Sequence, residues 1–191
     1  MRKIIATEFV TLDGVMEAPG EEDSLGTLGG WSFLFWNDEA AQYKFDELFA
    51  GGALLLGRVT YQIFAASWPS MTDEKGFADR MNSLPKYVVS TSLKQADWNH
   101  STLITANVPQ EISRLKQQPG QDILLNGSAD LVNLLRQHDL IDEYRLMVFP
   151  VILGVGKRLF QDGNKTPLRL MSTKTFTTGV VVLIYQPDRK A

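Results

Sequence analysis

Cysteine is absent from the chain, which excludes disulfides, thiolate metal sites and a cysteine nucleophile. Histidine is scarce: His100 and His138 are the only two, too few for a histidine-rich metal centre, and no metal is expected. Basic charge is not in surplus either. Lys and Arg together number 19 against 22 acidic residues, a formal net charge of −3, so the broad cationic face of a nucleic-acid binder is not expected. Long apolar runs are missing too. The opening stretch "MRKIIATEFVTLDG" has its apolar run broken at Thr7 and Glu8, and reads as neither a signal peptide nor a membrane span. A cytoplasmic protein with no nucleic-acid or membrane partner is the resulting expectation.

What is present suits one globular domain over residues 1–191: 44% of residues are hydrophobic and 21% charged, enough to form a core unaided. Residues 3–10, "KIIATEFV", carry strand-type residues until "TLDG" breaks them. Glu17 to Gly30 has no apolar period and reads as a long loop. "NDEAAQYKFDELFAGG" reads as a helix with a cap at Asn37 or Asp38, a stop at Gly51-Gly52, and Ala41, Phe45, Leu48 and Phe49 on its inner face. Strand-like "ALLL", "YVVS" and "DILLN" then alternate with helix-like "TYQIFAAS", Glu74 to Ser83, "PQEISRLKQQPG" and "SADLVNLLRQ". That alternation is the pattern of a parallel, helix-covered sheet. The last third, "EYRLMVFPVI" and "LRLMSTKTFTTGVVVLIYQ", has strand signals without a long helix, and Thr177-Thr178-Gly179 is placed to turn a hairpin. The fold class expected is therefore α/β, a mostly parallel central sheet with flanking helices and a C-terminal antiparallel hairpin.

In such sheets, ligands bind beyond the carboxyl ends of the strands, where loops enter helix N-termini. Three segments have that layout. In "LLLGRVTY", Gly57 permits close backbone approach, Thr60 is a candidate cap and Arg58 a charged donor fork for phosphate. "YVVSTSL" offers the hydroxyls of Ser90, Thr91 and Ser92 after a buried strand. "ILLNGSADL" repeats the tight turn and cap at Gly127 and Ser128, and free helix N–H groups there would attract a pyrophosphate. Each alone is also the ordinary chemistry of a turn; three in one chain point to a nucleotide. A fourth segment, "FPVILGVGKRLF", places Gly154 and Gly156 on a tight path before Lys157 and Arg158, which suits either an anionic ligand or a turn with two solvated cations.

Taken together, "TLDG", "LLLGRVTY", "VVSTS" and "NGSADLVNLLRQHDLIDEYRLMVFPVILGVGKRLF" resemble the dihydrofolate reductase-like family. The resemblance is nearest to the C-terminal reductase domain of the bacterial bifunctional riboflavin-biosynthesis deaminase-reductase and its stand-alone relatives, and it runs from Lys3 to about Tyr185. It implies NADPH lying across the carboxyl ends of the strands. Gly57, Arg58 and Thr60 would meet the cofactor phosphates, Thr91 and Ser92 the adenosine 2′-phosphate region, and Gly127 and Ser128 the pyrophosphate. Gly154 and Gly156 match the late glycine loop on the nicotinamide side. Asp13, in Thr11-Leu12-Asp13-Gly14, matches an acid beside the nicotinamide–substrate cleft and is the catalytic candidate, with a turn-forming Asp as the alternative.

Departures from the family's pattern narrow the activity. Folate-reducing members carry an acid on the first helix at the position occupied here by Ala41. Asp38, Glu39, Asp46 and Glu47 stand near it, but read as solvated charges on an exposed helix. The cysteine-free chain also lacks the zinc deaminase half. Trp31, Phe33, Phe35 and Trp36 suit either a ring-binding wall or a core edge. The expected function is an NADPH-dependent reductase of a pyrimidine- or pteridine-like heterocycle, 5-amino-6-(5-phosphoribosylamino)uracil being the named candidate. The alternative is a non-catalytic nucleotide-binding module of the same fold. A homodimer is expected, with "GVVVLIY" as the strand that would pair across it.

Overall fold

The short apolar runs "ALLL" and "ILL" form two of the central strands, because a strand covered by helices on both faces needs an apolar side chain at every position. In the computed structural model, which describes residues 1–20, 25–161, 163 and 165–189, Leu54, Leu55 and Leu56 are fully buried. Removal of such a side chain from water contributes about 1.5 to 3 kcal/mol. The elements are β1 (Ile4–Thr11), α1 (Asp38–Ala50), β2 (Ala53–Gly57), α2 (Arg58–Ser67), α3 (Phe77–Ser83), β3 (Lys86–Val89), β4 (Ser101–Ile104), α4 (Val108–Gln117), β5 (Ile123–Leu125), α5 (Ala129–Gln137), β6 (Glu143–Phe149), β7 (Leu168–Thr175) and β8 (Val181–Pro187).

They build an eight-stranded sheet of order β4-β3-β2-β5-β1-β6-β8-β7. The first six strands in that order are parallel, and β8 runs antiparallel to both β6 and β7. This is the α/β architecture with a C-terminal hairpin expected above. The strand "VVLIY" is not an edge, however: β8 has β6 on one side and β7 on the other. On this side of the sheet, a strand pairing across a dimer would use β7, the outer strand, exposed along nearly all its length.

Side-chain alternation along the strands splits the core into two helix-covered layers. Ile4 and Ala6 of β1 and Leu55 of β2 pack with Ile112 of α4 and Val132 and Leu135 of α5. Ile5, Leu54 and Leu56 pack with Leu48 of α1, Tyr61 of α2 and Met81 of α3. A third cluster, around Trp31, Phe149 and Phe176, closes the β6–β8 side.

Several local details differ from the sequence reading. Asn37 is the cap of α1, its Oδ1 accepting from the Ala40 amide at 3.0 Å. The buried face of α1 is Ala40, Glu47 and Leu48, while Phe45 and Phe49 stack on one another with centroids 4.2 Å apart. The helix expected from Glu74 starts only at Phe77, because the Asp73 carboxylate accepts the amides of Phe77 and Ala78 and fixes the entry there. Strand β4, "STLI", has no counterpart in the sequence reading; only Ile104 of it is buried. Of the long loop from Glu17 to Gly30, residues 21–24 lie outside the described residues, and Gly26–Leu28 forms one 3-10 turn.

Candidate functional site

Two of the predicted turns meet face to face. Gly57 ends β2 and leads into α2, while Gly127 and Ser128 follow β5 and lead into α5. A Cβ on Gly57 would lie 2.7 Å from Ser128 Oγ, and one on Gly127, at φ +52°, would collide with Thr60 Oγ1. Glycine is required at both positions for the two helix starts to close on each other. Neither start receives a side-chain cap, so the first turns of two adjacent helices lack a capping acceptor, the arrangement in which helix dipoles attract an anion. Thr60, expected as a cap, instead lies inside the first turn of α2, which begins at Arg58. Arg58 is exposed beside it, its guanidinium donating to Gln62 Oε1 at 2.9 Å.

The third turn divides its labour. Ser90 is buried, and its Oγ accepts the amides of Ser92 at 3.2 Å and Leu93 at 3.0 Å. Ser90 therefore shapes the turn, while Thr91 and Ser92 are exposed.

The fourth segment is stitched to the end of β1. Asp13 accepts from Thr11 Oγ1 at 2.6 Å, from the Gly154 amide at 2.8 Å and from the Leu153 amide at 3.3 Å. The hydrogen bond from Thr11 leads in holding its carboxyl below the usual range, so it is an anion and an acceptor. Gly156, at φ +107°, packs against Val15, where a Cβ would come within 2.8 Å of Cγ1. Lys157 is held by Asp130 at 2.6 Å. Above this stitching, Leu12 and Ile152 stand exposed on neighbouring chain segments, the Leu12 amide donating to the Val151 carbonyl at 2.9 Å. Among the aromatic candidates, Trp31 is core and donates Nε1 to the Glu17 carbonyl, whereas Phe33 and Trp36 are exposed.

Residues 2–182 match the family described as the RibD C-terminal domain, and the uncharacterized protein YyaP of Bacillus subtilis (strain 168) is 34% identical, covering 96% of this chain and 94% of its own. The chain belongs to the RibD C-terminal domain family. Its fold is similar to that of a putative riboflavin biosynthesis protein from Shewanella sp. PV-4, with a TM-score of 0.76 at 19% identity over 98% of this chain and 99% of that one. It is also similar to a dihydrofolate reductase from Enterococcus faecalis complexed with NADP(H), with a TM-score of 0.63 at 12% identity over 97% and 96% of the two chains.

The glutamates buried among the described residues of this RibD-type domain are Glu8, Glu47 and Glu143, and the first two bear on the site. Glu47, expected among the solvated acids of α1, is only 4% exposed. It accepts from Thr7 Oγ1 at 2.7 Å, is ion-paired with Lys44, and has Arg145 Nη1 at 3.4 Å. Burial opposes its charge, but Lys44, Thr7 and Arg145 outweigh burial and hold the carboxyl below the usual range. Glu8 was noted only as a break in an apolar run. It is 4% exposed on β1, Oε2 accepts the Gly127 amide at 2.9 Å, and Oε1 has no partner among the described residues. Burial pushes its pKa up to about 8. The signal for both is periodicity: Glu8 falls on the inward alternation of its strand and Glu47 on the buried stripe of its helix, beside Ala40 and Leu48. Among the described residues no three acids or histidines cluster as a metal site, and no helix is long and apolar enough to cross a membrane.

Proposed function

We propose that this RibD-family domain is an NADPH-dependent reductase of a pyrimidine- or pteridine-like heterocycle, with 5-amino-6-(5-phosphoribosylamino)uracil as the first substrate to try. The observation that carries the reading is the closure of the Gly57 turn on the Gly127-Ser128 turn, which brings two uncapped helix starts side by side. The residues present fit a dinucleotide there: a glycine-lined cradle, converging amides, a surface guanidinium and a buried carboxyl with an unpartnered oxygen beneath the turn. First-turn amides of α2 and α5 would hold the pyrophosphate, and Arg58 would add a charged fork for the 2′-phosphate beside the hydroxyls of Thr91 and Ser92.

A bound nicotinamide would supply the hydride; the protein's part is orientation and exclusion of water. Leu12 and Ile152 give a flat ring an apolar surface. Asp13, held as an anion between Thr11 and the Gly154 amide, would accept an N–H of a pyrimidine-type ring and so orient the substrate instead of protonating it. A homodimer pairing through β7, in the cytoplasm, belongs to the same reading. One observation favours the alternative of a non-catalytic nucleotide-binding module: the first helix has Ala41 where an acid would face the substrate, and Glu47 is occupied by Thr7, Lys44 and Arg145.

Fluorescence titration with NADPH and NADH tests the reading. Arg58→Ala should weaken NADPH by about 1.5 to 3 kcal/mol, tenfold or more, and NADH much less. Equal loss for both removes the role given to Arg58, and no uptake of either cofactor by the unaltered protein overturns the reading. Oxidation of NADPH with a candidate heterocycle separates the enzyme from the binding module.

A further inference from the structure

Glu8 occupies a position that strand geometry reserves for an apolar side chain. Residues at even positions of β1 point toward α4 and α5, and Ile4, Ala6 and Val10 all belong to the apolar cluster there. A carboxyl among them would be expelled or mispaired if it were a free anion. Instead its Oε2 takes the Gly127 amide at 2.9 Å, and its Oε1 is buried without a partner among the described residues. The charged groups acting on it are Lys44 and Glu47 of α1, opposite in sign and paired with each other. At the start of α5, Asp130 is neutralised by Lys157. No cation is left to compensate an ionised Glu8 among these groups.

We propose that Glu8 is a proton-linked positioning residue for the cofactor: in its neutral form it sets the Gly127 amide and lets a pyrophosphate settle on the turn, and in its ionised form it repels that ligand. The inference rests on the NADPH reading above. It acts through Gly127, since Oε1 lies beneath the turn and not in the mouth. A carboxylate directly under an anion site acts over several ångströms through partly buried protein, where one unit charge changes affinity by roughly tenfold or more. Because burial places the ionisation of Glu8 near pH 8, NADPH binding would be coupled to uptake of one proton in that range, and a rise in pH across it would release cofactor.

The test is the NADPH dissociation constant of the full chain, measured by fluorescence between pH 6.5 and 9, for wild type and Glu8→Gln. Wild type should lose roughly five- to tenfold in affinity between pH 6.5 and pH 9, the most that one proton titrating near pH 8 can give, and Glu8→Gln, which keeps an acceptor for Gly127 but cannot ionise, should stay flat. Lys86, whose buried ammonium also titrates near pH 8, sits at the amino end of β3, far from this turn in the sheet, and is common to both proteins. A flat wild-type profile, or the same loss in both proteins, overturns the proposal while leaving the reductase reading intact. No NADPH binding at pH 7 overturns both. Should Glu8→Gln fail to fold, calorimetry of wild type in two buffers of different ionisation enthalpy decides. Uptake of a substantial fraction of a proton at pH 8, where the 2′-phosphate is already fully ionised, supports the proposal; no uptake overturns it.

Discussion

Glu8→Gln should make the folded protein more stable than wild type at pH 8, and the gain should vanish toward pH 5. The sign follows from where the proton goes on unfolding. In the folded chain the carboxyl keeps its proton up to about pH 8, whereas in the unfolded chain it ionises near 4.5. Across that interval the unfolded state binds fewer protons than the native state, so stability falls as pH rises. The stability is fully present below pH 4.5, declines through the interval and levels off above pH 8. At about 1.4 kcal/mol per pH unit, the wild type loses roughly 4 kcal/mol by pH 8. Such a loss is a large fraction of a typical domain's stability. Glutamine matches the neutral acid in shape and has no ionisation to lose. Urea unfolding of both proteins at half-unit steps from pH 5 to 8.5, followed by tryptophan fluorescence, reads the difference directly. Parallel profiles, with a constant offset between the two proteins, would show that Glu8 is charged in the native state and would refute the reasoning.

Three further perturbations probe the site and its support. Gly57→Ala drives a Cβ to 2.7 Å from Ser128 Oγ; separation of the two turns should weaken NADPH at least tenfold with a modest drop in melting temperature, and unchanged affinity would show that the turns bind nothing. Glu47→Ala strands Lys44 and leaves Arg145 with Glu143 alone, a loss of about 3 kcal/mol in urea unfolding at pH 7. That contribution exists above the ordinary carboxyl pKa of 4.5 and disappears as pH falls through the lower folded value, so the variant's deficit should shrink below pH 4; a deficit under about 1 kcal/mol at pH 7 would mean the group is solvated. Asp13→Ala removes the acceptor shared by Thr11 and the Leu153 and Gly154 amides and should open residues 150–160 to limited proteolysis. Asp13→Asn, which retains one carboxamide oxygen as acceptor, should resist proteolysis yet lose turnover if Asp13 orients substrate.

The sheet was legible because its physics is local. "ALLL" and "ILL" are too short for helices and apolar at every position, which leaves a strand buried on both faces as the solution, and the glycine after each marks where a helix must begin. The apposition of Gly57 and Gly127 was not legible, since it depends on β5 lying beside β2 in the sheet, a pairing between segments some 70 residues apart in sequence. Position in the sheet also defeated the reading of β8. "GVVVLIY" has the composition of a strand but carries no information about which neighbour fills each edge, and the more polar "LRLMSTKT" took the outer position.

The two acids show a different failure. Composition says that a glutamate on a surface helix is solvated, and for Asp38 and Asp46, both exposed, that holds. Glu47 departs from it because Lys44, one turn earlier, and Arg145, on a strand at the far side of β1, converge on the same carboxyl. A buried charge is tolerated where partners from other elements meet it, and those partners are invisible until the topology is known. Glu8 is the contrary case, for the cation acting on it, Lys44, is already paired with Glu47. Its strand alternates apolar residues inward at 4, 6 and 10, so parity alone requires position 8 to point inward as well, and a glutamate there must either distort the strand or stay neutral. The strand is undistorted, pairing with β6 residue by residue through Glu8 and Leu146. Neutrality is therefore the remaining solution, and it is maintained directly under the Gly127 turn, where an added negative charge would oppose the ligand that the turn is shaped to hold.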